Sequence, residues 1–538
     1  MKKNFILLLI ATLSCALVFS QTFNLVADVN TTGDAEPEIL TQFQDKLMFI
    51  AIGDNFVKDL YYITETNNTP VNVTQFPLGS TVRPYFQLFD NKLFYAASQP
   101  SYGTELWVFD GINNTLFTDI NAGGTSSLIV SFNEMAVANN LLFFVATTPS
   151  SGKELYKTDG TTAGTKMVKE INAGANNAIN HYAPFMAFNN QLYFTANNGV
   201  NGEELWVSDG SDAGTKMVSD IELGPMSSLP RQMFEFNNKL FFVCSTSAYG
   251  WELWTTDGTA MNTALFIDLY PGVDDGVTGF YPAILNNQFY FMVNDPIYDK
   301  ELYISDGTPA NTKLLADINM AHSSNPSNLF PVYGSIYFSA KGNANNQELW
   351  KTDGVNTTLV KEINPSATLG SWPKEITFYN GKLYFIASDE NVNGPNADNQ
   401  LYELNLSNDS IRKLSPAIAP KANPLRVSHL KVWNDKLYFK ANYDNAGSEV
   451  WSFSAPPTAI NAVNHIETFN VFPNPARDII RLDYLQDGKH ISVMDVEGKE
   501  VINGKFENQL NVSHLSAGSY LIEVSTDEKT YSSKFIKN

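Results

Sequence analysis

Cysteine and histidine are scarce in this chain: two cysteines, Cys15 and Cys244, and six histidines occur in 538 residues. Cys15 lies in the N-terminal apolar run, and Thr12-Leu13-Ser14 is a poor approach to a lipidated cysteine. Once that run is removed, one thiol remains and no intramolecular disulfide is available. Cys244, in "LFFVC", reads as a small buried hydrophobe and not as a nucleophile. No His/Cys spacing suits a metal, and neither a nucleophile elbow nor a phosphate loop occurs. His181 and His322 each stand alone in a loop. Charge is also sparse, at 17% against a globular norm of about 25%.

Nor is any apolar run long enough to span a membrane. Phe5 to Phe19 has 15 residues, short of the roughly 20 a spanning helix needs. With Lys2 and Lys3 ahead of it and Val18-Phe19-Ser20 behind it, residues 1–20 read as an export signal cleaved before Gln21. The mature chain then carries 33 basic and 56 acidic residues, a net charge of −23. Such a surface repels nucleic acid and anionic lipid. No nucleic-acid partner and no transmembrane anchor are expected.

What the chain has is repetition. A Glu-Leu-aromatic tripeptide ends at Trp107, Tyr156, Trp206, Trp254, Tyr303 and Trp350, with looser copies ending at Tyr61, Tyr402 and Trp451. The intervals are 46, 49, 50, 48, 49, 47, 52 and 49 residues, the length of a four-stranded propeller blade. The first strand of each unit runs into a turn such as "FNNK", "FNNQ" or "WNDK", whose residue types accept positive φ and so signal a two-residue hairpin. The second, such as "KLYFIA", is apolar on both faces, as a strand sandwiched between blades should be. The third is "ELWVS" or its equivalent, running into Asp-Gly, and the fourth resembles "TKMVKEIN".

The ninth unit stops after "EVWSFS" without a fourth strand, while "FNLVADVN" (Phe23 to Asn30) stands alone before the first full unit near Glu38. The fragment is therefore predicted to complete the last blade and leave no open edge. The fold class is all-β: a single propeller of about nine blades over residues 21–455, with eight open as an alternative because the first unit is weakest. A linker over 456–465 and a small antiparallel sandwich over 466–538 follow.

Two recurring features bear on chemistry. Asp159, Asp209, Asp257, Asp306 and Asp353 raise the idea of a calcium series, but "TDGT" offers one oxygen ligand where calcium needs several, so these read as turn aspartates and no cofactor is expected. Gly164, Gly214, Asn262 and Asn311 share one place beyond the Asp-Gly, which suggests a left-handed backbone there. The Glu of the tripeptide and the acid of Asp/Glu-Ile-Asn could suggest paired glycosidase carboxylates. They recur around the whole molecule, however, whereas catalysis needs one asymmetric site.

The tail contains "VFPNPARD", "VMDVEGKEV", "LSAGSYLIEV" and the terminal "KFIK". These elements, in this order, closely resemble the C-terminal type A sorting domain of the type IX secretion system of Bacteroidetes. The matching positions are Pro473, Asn474, Pro475, Asp495, Gly498, Lys499, Gly518, Tyr520, Lys534, Phe535 and Lys537. The resemblance implies passage through the periplasm, engagement of the type IX machinery, and release or attachment at the cell surface. The body, with "ELYKTDGTTAGTKMVKEI" and "ELWVSDGSDAGTKMVSDI", resembles the bacterial ELWxxDGT repeat proteins.

The second-to-third and fourth-to-first connections, which share one face, are long and varied: "SQPSYGT", "STSAYGW", "NDPIYDK", "GVDDGVTGFYP", "SATLGSWP". Those on the opposite face are short and uniform. Variation on one rim is where recognition usually sits. Tyr102, Tyr182, Tyr249, Trp251, Tyr281, Tyr298 and Trp372 lie in or beside these loops, and neither tryptophan is expected in a repeat strand. The resulting reading is a non-enzymatic binding or adhesion propeller for an extracellular glycan or surface protein. A polysaccharide lyase or glycosidase, and a structural envelope or gliding component, are the alternatives.

Overall fold

The computed structural model describes residues 22–128, 134–180, 184–344, 346–366, 369–389, 399–414, 426–443, 447–455, 466–468, 470–472, 476, 479–483, 488–494, 500–507, 509–516, 518–526 and 530–537. The chain divides into two units, Met1–Pro456 and Pro457–Asn538.

The first unit is a propeller of nine four-stranded antiparallel blades among the described residues. Blade 1 runs Glu38–Phe43, Lys46–Ile52, Lys58–Thr64 and Asn67–Asn72, and a lone parallel pairing of Lys58 with Thr81 links it to blade 2. Blade 5 runs Arg231–Phe236, Lys239–Thr246, Gly250–Thr256 and Ala264–Ile267. Blade 9 runs Ser428–Trp433, Lys436–Ala441 and Glu449–Ser454, and its fourth strand is Thr22–Ala27. Leu25 lies opposite Trp451, and Phe23 opposite Phe453. The stranded fragment at the N-terminus is thus the outer strand of the last blade.

The second strands are buried on both faces: Leu47 to Ala51, Leu192 to Ala196 and Leu383 to Ala387 are almost wholly enclosed. Each blade packs against two neighbours, so both pleat faces must be apolar. Nine apolar clusters follow, one between each successive pair of blades. The cluster between blades 9 and 1 joins Trp433, Tyr438 and Val450 to Leu47, Phe49 and Ile63. The ring is closed by packing as well as by strand pairing.

The face bearing the first-to-second turns is uniform because its turns are built alike. Asn139 and Asn140, Asn189 and Asn190, Asn237 and Asn238, and Asn286 and Asn287 all take φ between 49° and 61°. Two consecutive left-handed residues match the twist of an antiparallel pair, and asparagine tolerates that region.

The Gly164 position differs from expectation. Neither Gly164 and Gly214 nor Asn262 and Asn311 adopt positive φ. The left-handed residue is instead the glycine of Asp-Gly, as at Gly160 and Gly258 with φ of 91° and 97°. What the later position requires is space or a donor beside the turn aspartate. A Cβ on Gly164 or Gly214 would overlap the carboxylate of Asp159 or Asp209. Asn262 and Asn311, in short 3-10 turns, instead donate Nδ2 to Asp257 and Asp306 at 2.6 and 2.7 Å.

The second unit has two sheets. One comprises Ile466–Thr468, Thr530–Lys537, Gly518–Ser525, His490–Met494 and Glu500–Lys505; the other Asn470–Phe472, Ile479–Asp483 and Gln509–Asn511. Ile480, Ile491, Val493, Val512, Ile522, Val524 and Phe535 fill the core between them. Among the described residues it departs from a purely antiparallel sandwich in two places, both on the C-terminal strand: Ile466–Thr468 runs parallel to it, and Ala476 forms a parallel bridge with Lys537.

Candidate binding face

The loop-bearing face is organised by the recurring glutamate. Glu105, Glu154, Glu204, Glu252, Glu301, Glu348 and Glu449 are all fully or almost fully buried near the start of the third strand. Each carboxylate accepts backbone N–H groups from the connection to the next blade. Glu154 takes those of Ile171 and Asn172, both at 3.0 Å. Glu204 takes Ile221 and Ser228 at 3.0 Å and the Ser228 hydroxyl at 2.6 Å. Ser228 then accepts the N–H of Ser245 in the next blade at 2.8 Å. Glu301–Ser324–Lys341 and Glu348–Ser371–Ser388 repeat the arrangement. The glutamate is therefore an inter-blade latch, a structural role that accounts for its recurrence from blade to blade. Burial pushes these carboxyls up to about 7, and Glu449 to about 8, while the N–H donors oppose the rise.

The aspartates of the Asp-Gly turns are engaged by their own loops. Asp257 Oδ1 accepts the backbone N–H of Thr259 at 2.9 Å and its hydroxyl at 2.7 Å. Asp306 is held in the same way by Thr308, and Asp353 by the N–H groups of Val355 and Asn356. Cys244 is fully enclosed in its strand, and burial raises its thiol well above the ordinary range.

Of the aromatic candidates, Tyr281 is 77% exposed, Trp372 47%, Tyr298 39%, and Tyr102 and Tyr249 37% each. Tyr249, Trp251, Tyr281 and Tyr298 come from blades 5 and 6 and the connection between them; Tyr102 belongs to blade 2, and Trp372 to the connection entering blade 8. Tyr102 packs edge-on to Trp107, with ring centroids 6.5 Å apart. The Trp372 N–H reaches the Gln347 carbonyl at 3.2 Å, and its φ is 52°, an uncommon value for so large a residue. Tyr182 lies outside the described residues.

Trp251 corrects an expectation. It sits in the third strand of blade 5, opposite Ser245, and packs on the cluster shared with blade 6. The guanidinium of Arg231 lies 3.6 Å from the centroid of its ring. Sequence reasoning passed over Arg231, because a single arginine opening a strand carries no motif. Its importance arises only from the register that sets it beside Trp251.

In the tail, Tyr520 stacks on Phe535 at 5.5 Å and donates its hydroxyl to the Ser516 carbonyl at 2.8 Å. Gly518 opens a strand opposite Lys537, which is nearly buried, and Lys534 pairs with Leu521. Pro473, Asn474, Pro475, Asp495, Gly498 and Lys499 lie outside the described residues.

Residues 470–538 match the secretion system C-terminal sorting domain. The chain carries an export address. That address directs it to the cell surface or extracellular space and implies interaction with the secretion machinery. No helix among the described residues is long and apolar enough to cross a membrane. No curated protein matches the chain. Similar solved structures include PorZ, a surface component of the type IX secretion system of Porphyromonas gingivalis. It is 12% identical, with 93% of this chain and 75% of that chain covered and a TM-score of 0.33. The extracellular domain of a putative one component system from B. thetaiotaomicron is 10% identical, over 93% of this chain and 73% of that chain, at 0.31. A puromycin-hydrolyzing peptidase of Mycobacterium tuberculosis is 10% identical, over 77% and 59%, at 0.37. Likenesses this distant do not bear on what this chain binds.

Proposed function

We propose that the protein is a secreted or surface-held binding propeller whose loop-bearing face engages an extracellular ligand, carbohydrate first and surface protein second. The observation that carries this reading is the contrast between the two faces. One is paved with two-residue asparagine turns, while the other presents exposed rings, two of which, Tyr281 and Trp372, lie on connections that buried glutamates hold in place. Aromatic rings offer large contact area at low entropic cost, and loops pinned at both ends keep them positioned before a ligand arrives. In this reading residues 1–20 start export, the sorting tail addresses the molecule to the type IX machinery, and the propeller acts outside the cell. ELWxxDGT-type repeats supply the scaffold and not the specificity.

A glycan and surface-protein array probed with the full chain tests this. Tyr281→Ala combined with Trp372→Ala should weaken binding at least tenfold with the melting temperature unchanged, because stacking contacts contribute about 1–3 kcal/mol each where bases stack on aromatic side chains. Equal loss from alanines at Asn286 and Asn287, on the opposite face, would place the site elsewhere.

A further inference from the structure

Blades 1 and 5 place different pairs at the same two positions. In blade 1, Glu38 opens the first strand opposite Ile50, which lies opposite Leu60. In blade 5, Arg231 opens the first strand opposite Val243, which lies opposite Leu253. The residue two places before that leucine is Lys58 in one blade and Trp251 in the other. Lys58 meets Glu38 in an ion pair at 2.5 Å, so blade 1 neutralises its own charge. Blade 5 does not: Arg231 meets an indole ring, and among the described residues it forms no ion pair.

The guanidinium is half-buried and poorly supplied with acceptors. Nη2 donates to the Thr278 carbonyl at 3.3 Å, and Nε is buried without a partner. The nearby Asp275 accepts the Trp251 backbone N–H at 3.0 Å. Gln232, next in the strand, holds the Phe280 N–H at 2.8 Å and so positions the connection that carries the exposed Tyr281. A half-buried cation, backed on one side by an aromatic face, flanked by an exposed ring and within electrostatic reach of Asp275 but not bonded to it, lacks one component: an anion whose two oxygens meet the guanidinium directly. Burial disfavours the charged guanidinium while the nearby Tyr281 and Asp275 favour it, so a counter-ion from outside would add to a charge that is only partly balanced.

We propose that Arg231, backed by Trp251 and flanked by Tyr281, binds the carboxylate of a uronic-acid residue in an extracellular glycan. The proposal rests on the binding reading above and names its ligand class. The Tyr281 ring favours a sugar, whose apolar face it can cover, over an acidic peptide. The strong negative charge of the body favours a glycan with widely spaced carboxylates over a dense polyuronate, which it would repel.

Calorimetry with the full chain tests it, using oligosaccharides bearing a single glucuronic, galacturonic or mannuronic acid residue, their carboxyl-reduced counterparts, polygalacturonate, and a pentaglutamate peptide. At least one uronate-bearing oligosaccharide should bind, and its carboxyl-reduced form should bind at least tenfold more weakly. Arg231→Gln should abolish that difference, and Arg231→Lys should restore only part of it, because an ammonium cannot make the bidentate contact. Binding of none of the uronates, equal affinity for the reduced forms, or equal affinity for pentaglutamate would overturn the assignment. The reduced forms test it even if the variants fail to fold. Neutral binding that survives Arg231→Gln but falls with Trp372→Ala would reject this site while leaving the loop-face reading intact; no binding to any glycan or surface protein would reject both.

Discussion

Glu449 accepts the backbone N–H of Ala35 at 3.2 Å across 414 positions of sequence, and Ala35 in turn accepts the N–H of Ile52 at 2.7 Å. In blades 2 to 7 the same latch ties one blade to the next; here it ties the last to the first. Deleting residues 22–30 removes the outer strand of blade 9 and uncovers the edge of Glu449–Ser454, so the body should lose far more stability than nine terminal residues ordinarily supply. Phe23→Ala alone, which removes a half-buried ring packed on Phe439, Tyr443 and Phe453, should cost about 2 kcal/mol in urea denaturation. An unchanged melting temperature in the deletion would mean the ring is not held at this seam.

Acidity should act on the latches in a definite direction. A carboxyl raised in the folded state from an ordinary 4.5 to about 7 binds its proton more tightly when folded. Its stabilising contribution is fully present below pH 4.5 and is lost as pH rises through 7, or through about 8 for Glu449. Thermal unfolding should therefore occur at a higher temperature at pH 5.5 than at pH 8.5. Glu252→Gln should fold and flatten that slope. Blade 8 already has Gln400 in this position, nearly buried. A slope unaltered by the substitution would assign the pH effect to general surface repulsion.

Gly250 precedes the latch of blade 5 with φ of 63°, and a Cβ there would sit 2.7 Å from the carbonyl oxygens of Val273 and Asp274. Gly250→Ala therefore combines left-handed strain with overlap against backbone that cannot easily move. A loss of about 2–3 kcal/mol is expected in chemical denaturation. A neutral result would mean the connection is not packed on this glycine.

The division at Pro456 predicts a protease-sensitive junction. Brief digestion of the full chain should release the body with an end between residues 456 and 465. Mass spectrometry of protein secreted by its native host should find a product ending in the same interval. Extracellular protein that retains Lys537 throughout would argue against removal of the tail.

The architecture was legible because a repeat announces itself through spacing. The Glu-Leu-aromatic interval, the paired turn asparagines and the orphan "FNLVADVN" each constrain the backbone locally, and local constraints can be read in order along the chain. The misreadings have the opposite character. Gly164 and Asn262 resemble each other as left-handed residues, yet they differ because of a carboxylate five positions earlier, which composition does not reveal. Trp251 was expected in a loop because "SAYGW" looks like one, but the turn ends at Gly250 and strand pairing extends through the tryptophan. Arg231 had no signal of its own. Its environment is created by Trp251, Thr278 and Tyr281, which converge only after two sheets have formed.

The seam between Thr22–Ala27 and Glu449–Ser454 also makes the fold a test of completeness. The strand made first has no partner until the third strand of the ninth blade exists. A chain interrupted anywhere before it presents an unpaired edge and an apolar cluster with only one wall. Only a molecule carrying both ends of the body can hide that surface. Because the sorting tail follows the closing strand in sequence, a chain that bears its export address already contains everything needed to close the ring.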